Sequence, residues 1–265
     1  MATYYGTRDA DILVGTASSE ELLSGEGNDT VYGGRSAIDP DDEHDVIYAG
    51  YDDDLVYGNG GDDLLHGGSR DRPNGPDGND TIYGGSGADT IHGMDGVDRI
   101  YGGGDVFSPN DDADLIFGGG DEDWITGNGG DDTIYGAADT TGLRDDNDTI
   151  NGGQGNDYID GGDGTDFISG QLGNDTLIGG RDADIFMFSD QTGNDTVFDF
   201  QGAGDIDGDL LHISENINGS GILTPEDVLA RATISADFAI IDLGAGNQLT
   251  VQTDGFLSQF DILIS

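Results

Sequence analysis

Three absences frame this chain of 265 residues: it has no cysteine, no lysine, and no apolar run approaching the length of a membrane span. Without cysteine there is neither a disulfide framework nor a thiolate metal site. Without lysine, eight arginines face 55 acidic residues and the net charge is −47, so nucleic acid and anionic membrane surfaces are poor partners, no nucleic acid is expected to bind, and a cation is the natural partner. The longest apolar runs, such as Phe238–Ile241 and Ile262–Ile264, fall far short of the ~20 residues a spanning helix needs, so no membrane insertion is expected. The opening MATYYGTRDADILVG lacks a basic n-region and an apolar h-region, so no N-terminal secretory signal is expected there. Neither HExxH nor GxSxG occurs.

What is abundant is glycine, with 49 residues, and aspartate, which makes up 48 of the 55 acids. Both follow a period of nine. The frame GGxGxDxUx, with U apolar, can be laid 17 times between Gly6 and Met187. The first position is Gly in 15 units, the sixth is Asp in 16 (Glu20 is the exception), and the eighth is apolar in all 17. A disordered acidic tract would have no reason to keep its apolar residues in register. Four units, 33–48, 67–83, 102–117 and 136–151, carry seven or eight extra residues and fall on every third unit. Their inserts, among them Arg35–Glu43 and Arg70–Gly78, read as exposed loops.

The chemistry of the frame is that of a hard cation. Calcium takes six to eight oxygens and tolerates flexible geometry. Glycine lets a turn curl its carbonyls inward, and one short carboxylate per turn adds charge. The triplet after each turn predicts a very short strand with position 8 facing inward. One aliphatic side chain per nine residues is a thin core against the backbone entropy of so much glycine, so folding is expected to depend on the metal.

Residues 6–187 resemble the hemolysin-type calcium-binding repeat array of RTX proteins. The resemblance implies an all-β fold: a parallel β-roll, a two-sheet solenoid with two nonapeptides per coil and calcium between the turns of successive coils. Carried onto this chain, the metal ligands are Asp11, Asp29, Asp45, Asp54, Asp63, Asp80, Asp89, Asp98, Asp114, Asp123, Asp132, Asp148, Asp157, Asp166, Asp175 and Asp184, with turn carbonyls such as those of Gly152, Gly155, Gly161 and Gly164. Asp157 would share an ion with Asp175, and Asp148 with Asp166, but Asp157 would not share one with Asp166. One ion per stacked pair gives on the order of 15 calcium ions.

From Phe188 the glycine frame stops, dividing the chain into a roll at 1–187 and a β-rich C-terminal cap at 188–265. Thr224-Pro225-Glu226-Asp227 predicts a short helix with Thr224 as N-cap, and GAGN at 244–247 predicts a hairpin turn. The region after the last repeat and the tail Asp261–Ser265 resemble the end of type I-secreted RTX proteins, implying an uncleaved export signal and a secreted, extracellular or cell-surface location. The reading is a calcium-folded secreted protein without catalytic activity. An alternative is a calcium-dependent glycan-binding or surface-adhesion module. Its partner would be an extracellular polysaccharide or cell surface, bound on the outward ladders that place Tyr32, Tyr57, Tyr83 and Tyr101 on one face and Tyr48, His66, His92, Phe117 and Tyr135 on the other.

Overall fold

The computed structural model describes residues 1–34, 43–70, 78–103, 112–137, 147–202, 208–253 and 257–265. The loops expected in the four extended units fall largely on 35–42, 71–77, 104–111 and 138–146, outside the described residues.

Because each turn reverses the chain, successive strands alternate between two parallel sheets. Strands such as Val46–Tyr51, Leu64–Gly68 and Thr90–Asp95 lie in a thirteen-stranded sheet, and strands such as Leu55–Gly60, Thr81–Ser86 and Arg99–Gly103 in an eleven-stranded one. Two nonapeptides therefore make one coil, and the roll is the β-roll the repeat implies. Position 8 points between the sheets. From Leu22 to Phe186 every one of these side chains is fully buried, and only the first, Leu13, retains slight exposure.

The strands are longer than the triplet the sequence predicts. Most run five or six residues, because pairing resumes beyond the triplet. Tyr158, Ile159 and Asp160 pair with Thr176, Leu177 and Ile178, and after one skipped glycine Gly162 and Asp163 pair with Gly180 and Arg181. Glycine leaves the backbone free to approach its neighbour here, so the ladder extends into what reads as turn.

The expected junction after Met187 falls inside the strand Ile185–Phe188, and both sheets run on through it. The eleven-stranded sheet adds Leu210–Ile213 and Ile262–Ile264. The thirteen-stranded sheet adds Asn194–Phe198 and then Asn247–Gln252, which pairs antiparallel with Phe238–Gly244 across the expected hairpin turn. The helix α1, Pro225–Arg231, has the predicted Thr224 cap: Thr224 Oγ1 accepts from the Asp227 amide, and the Asp227 carboxylate accepts from the Thr224 amide, 3.0 Å away. Val228 of α1, with Ile217, Ile222 and Leu243, is fully buried and closes the end of the core.

Candidate metal centre

The sixteen aspartates of the frame form two rows, one along each edge of the roll. One row runs Asp11, Asp29, Asp54, Asp80, Asp98, Asp123, Asp148, Asp166 and Asp184. The other begins at Glu20 and runs Asp45, Asp63, Asp89, Asp114, Asp132, Asp157 and Asp175. Apart from Asp11, the aspartates are 0–4% exposed. Each hands its amide N–H to Oδ1 of the acid two units on: Asp157 to Asp175 at 2.9 Å, and Asp148 to Asp166 at 2.8 Å. Asp157 and Asp166 sit on opposite edges, since they belong to different rows. At the N-terminal ends the pattern closes on threonine: Asp11 Oδ2 accepts from the Thr7 amide and hydroxyl at 2.6 and 2.8 Å, and Glu20 from those of Thr16 at 2.9 and 2.5 Å.

Both rows continue past the frame. Asp175 donates to Asp195 at 3.0 Å and Asp184 to Asp209 at 3.0 Å, and both added acids are buried. The sequence reading stops one unit short on each edge. The signal was an Asp followed two residues later by a buried apolar residue, Asp195 with Val197 and Asp209 with Leu211, without the glycine pair in front.

The glycines serve two different needs. Gly152 opens a unit, and a Cβ there would collide with Oδ2 of Asp157. Gly58 shows the same: its missing Cβ leaves room for Asp63 Oδ2, 2.6 Å from the position a methyl would take, and for the Gly84 carbonyl. Gly161 is likewise bounded by Asp166 Oδ2 and the Gly179 carbonyl. Gly153 and Gly155 instead have φ of +118° and +133°, which L side chains rarely adopt. The Gly155 amide donates to the Leu172 carbonyl at 2.9 Å and the Gly164 amide to the Arg181 carbonyl at 3.3 Å, tying each turn to the next on its edge.

Carboxyl groups in both rows are raised by burial. Burial pushes Asp80 and Asp157 up to about 7 and Asp184 and Asp195 up to about 8, against the opposing pull of the amide each accepts. Oδ2 of Asp80, Asp157 and Asp184 is buried without a hydrogen-bond partner. A buried carboxylate oxygen left in that condition calls for a cation. Among the described residues no three His, Cys, Asp or Glu side chains converge, which does not suit a transition metal held by side chains. Single carboxylates spaced along a wall of glycine carbonyls suit a hard, oxygen-seeking cation such as calcium.

A second ladder was not read from the sequence. Where the residue before a frame aspartate, treated there as variable, is Asn or Asp, as at Asp53, Asp62, Asn79, Asp131, Asn147, Asn156 and Asn174, its side chain takes the amide of its counterpart on the following coil. Asn156 donates to Asp131 Oδ1 at 2.6 Å, Asn174 to Asn156 Oδ1 at 3.0 Å and Asn194 to Asn174 Oδ1 at 3.0 Å. The frequent Asn-Asp and Asp-Asp pairs were its signal.

On the outer faces the aromatic ladders form as their register demands. Tyr32, Tyr57, Tyr83 and Tyr101 stack at 5.0, 4.9 and 4.5 Å between centroids, nearly parallel. Tyr48, His66, His92, Phe117 and Tyr135 do the same on the other sheet. Burial, then the neighbouring His92, brings His66 down to about 4.

A family model described as the RTX calcium-binding nonapeptide repeat (4 copies) matches residues 5–37, 40–69, 75–106, 109–141, 144–177 and 160–191, well over half of the chain. No curated protein matches. Among solved structures, the chain is similar to the extracellular lipase LipA from Serratia marcescens at 17% identity and a TM-score of 0.33. That match covers 89% of this chain and spans 40% of the lipase's length.

Proposed function

The chain belongs to the RTX calcium-binding nonapeptide repeat family, and from that premise we propose that it is a secreted protein whose folding is switched on by extracellular calcium and which carries out no catalytic step. The observation behind this reading is the pair of buried acid rows. Nine amide-to-carboxylate steps on one edge and eight on the other join acids of successive coils. With Asp195 and Asp209 included, about 17 stacked intervals are candidate places for an ion, slightly more than the repeats alone suggest.

Calcium, when bound, supplies positive charge and draws on oxygens that water solvates in the unfolded chain. The protein's part is to present them. Position-1 glycine holds the carboxylate against the backbone, the amide of the preceding coil fixes Oδ1, and Oδ2 is kept out of water. In low calcium, repulsion among 55 acids and the thin core keep the chain extended, a state suited to passage through an export channel. High calcium outside then orders the coils. A catalytic role for the acids is disfavoured because their Oδ1 atoms are committed to the rows.

Circular dichroism of the chain titrated from excess chelator into millimolar calcium tests the proposal. The expected result is a cooperative rise in β signal. An identical β-rich spectrum in chelator would overturn it.

A further inference from the structure

The net charge of −47 is not spread evenly over the surface. On the eleven-stranded sheet, the outward residues flanking the buried core position run from Thr30 and Tyr32 to Leu210 and His212. Across those nine strands they include one cation, Arg99, and no carboxylate. The opposite sheet bears Glu21 and Asp160 at the equivalent positions. One broad face of a strongly acidic molecule is therefore made of hydroxyl, amide, aromatic and aliphatic groups, with Arg99 its one charge.

The tyrosine ladder on this face cannot offer flat ring surface, because each ring covers the next. It ends at Trp124, which meets Tyr101 edgewise at 68° and is 37% exposed. In register, Trp124 is followed by Thr149 and then by Phe167, 40% exposed. The residue between them is the small Thr149, so no third ring stands between the two exposed aromatics. Two strand spacings place them about 10 Å apart, the span of two consecutive pyranose rings in an extended chain. Thr126, Asn151 and Ser169 stand beside them on the same three strands, each two residues along and on the same face. Ser169, on the strand of Phe167, also lines a cavity of about 430 Å3 whose wall mixes apolar Leu172 and Met187 with polar Gln171, Asp190 and His212. That volume lies in the range of small-ligand sites.

We propose that this face is a binding platform for a neutral, extended, β-1,4-linked polysaccharide, with Trp124 and Phe167 stacking on alternate sugar rings and the cavity holding the sugar at one end of the bound segment. Apolar ring faces of pyranoses suit the exposed aromatics, and their hydroxyls suit the alternating donors and acceptors beside them. Charge chooses among occupants. A polyanion would meet the acidic edges, and a second copy of this chain would bring another −47 against the first. A neutral polymer meets neither. The platform needs folded sheets and so rests on the calcium reading.

Trp124 is the single tryptophan of the chain, so its emission reports on the site directly. The calcium-loaded full chain is titrated with cellohexaose and mannohexaose, with Phe167→Ala and Tyr32→Ala run in parallel and circular dichroism recorded on every sample. Saturable quenching or a blue shift with one of the neutral hexasaccharides, weakened at least tenfold in Phe167→Ala and unchanged in Tyr32→Ala, is the expected result. No saturable change with either sugar, a change that Phe167→Ala leaves intact, or tighter binding of an anionic polyuronate overturns the proposal. The dichroism reads calcium-driven folding on a separate axis, so failure of the switch and failure of the platform look different.

Discussion

The roll and the segment beyond it share two continuous sheets but are held by different means. In a repeat such as 152–160, one fully buried aliphatic, Ile159, serves nine residues, and a buried aspartate stands beside it. Beyond Met187, a single strand such as Phe238–Gly244 buries Ala239, Ile241 and Leu243, and α1 adds Val228 from above. There, apart from the row ends Asp195 and Asp209 and the buried Asp261, the described carboxylates are exposed or half-buried, and Asp227 is satisfied locally in the Thr224–Asp227 box. One sheet architecture thus depends on buried carboxylates along the roll and, past the row ends Asp195 and Asp209, on ordinary apolar burial. Solution conditions should act on the two ends unequally.

Calcium removal should separate them most. The repeat coils lose their β signal in chelator, and residual structure is least at pH 8 and above. The sign follows from the raised carboxyl groups. Asp80 and Asp157 stand at about 7, Asp184 and Asp195 at about 8 and Asp209 at about 6, against 3.8. Between pH 4 and 8 the folded chain then holds more protons than the unfolded one, so stability without calcium falls as pH rises through 6 to 8. In chelator, acidification from pH 8 to 5 should raise the folded fraction. In limiting calcium, the same acidification should lower the metal's apparent affinity, because protons compete for the carboxylates. Equal slopes in the two titrations, read by circular dichroism, would remove the buried acids as the cause.

Glycine substitutions sharpen the contrast at smaller scale. Gly58→Ala in the roll forces a methyl into the space of Asp63 Oδ2 and the Gly84 carbonyl and should cost about 3 kcal/mol. Gly246→Ala in the cap hairpin meets nothing within 4 Å and loses only the ease of a φ of +91°, about 1 kcal/mol. Urea midpoints at fixed calcium would rank them. A Gly58→Ala chain as stable as Gly246→Ala would mean that the carboxylate is free to move aside.

The period made the roll legible. Position 8 named the core, position 6 named the acid rows, and register named the aromatic ladders. The helix cap and hairpin turn followed from local chemistry. The continuation to Asp195 was hidden because the turn before it keeps its backbone while changing its residues. Gln191 takes the positive φ, +70°, that Gly153 holds in a standard unit, and Gly193 takes that of Gly155. Gln171 makes the same exchange inside the frame, with φ +68°. Trp124 and Phe167 were missed for the opposite reason: they stand at a position the repeat leaves open, so only the sheet reveals that they are neighbours.

Local features of the two ends should differ least. Thr224→Ala removes the cap of α1 and should cost about 1 kcal/mol, with little change in the calcium midpoint because α1 contains no member of the acid rows. Met94 and Ala245 give the smallest effect. Both hold positive φ without being glycine, Met94 at +89° in the roll and Ala245 at +52° in the cap. Ala245 lies in the left-handed region that L residues visit at modest cost, while Met94 lies beyond it and pairs with Gly119, which has φ +135°. Met94→Gly relieves more strain than Ala245→Gly, although each gives back part of the gain through the greater freedom of glycine in the unfolded chain. The expected net gain is about 0.5 kcal/mol for Met94→Gly and about zero for Ala245→Gly. A loss of stability in Met94→Gly would show that the partly buried methionine side chain outweighs its backbone, bringing that turn closer in character to the cap than to its own repeat.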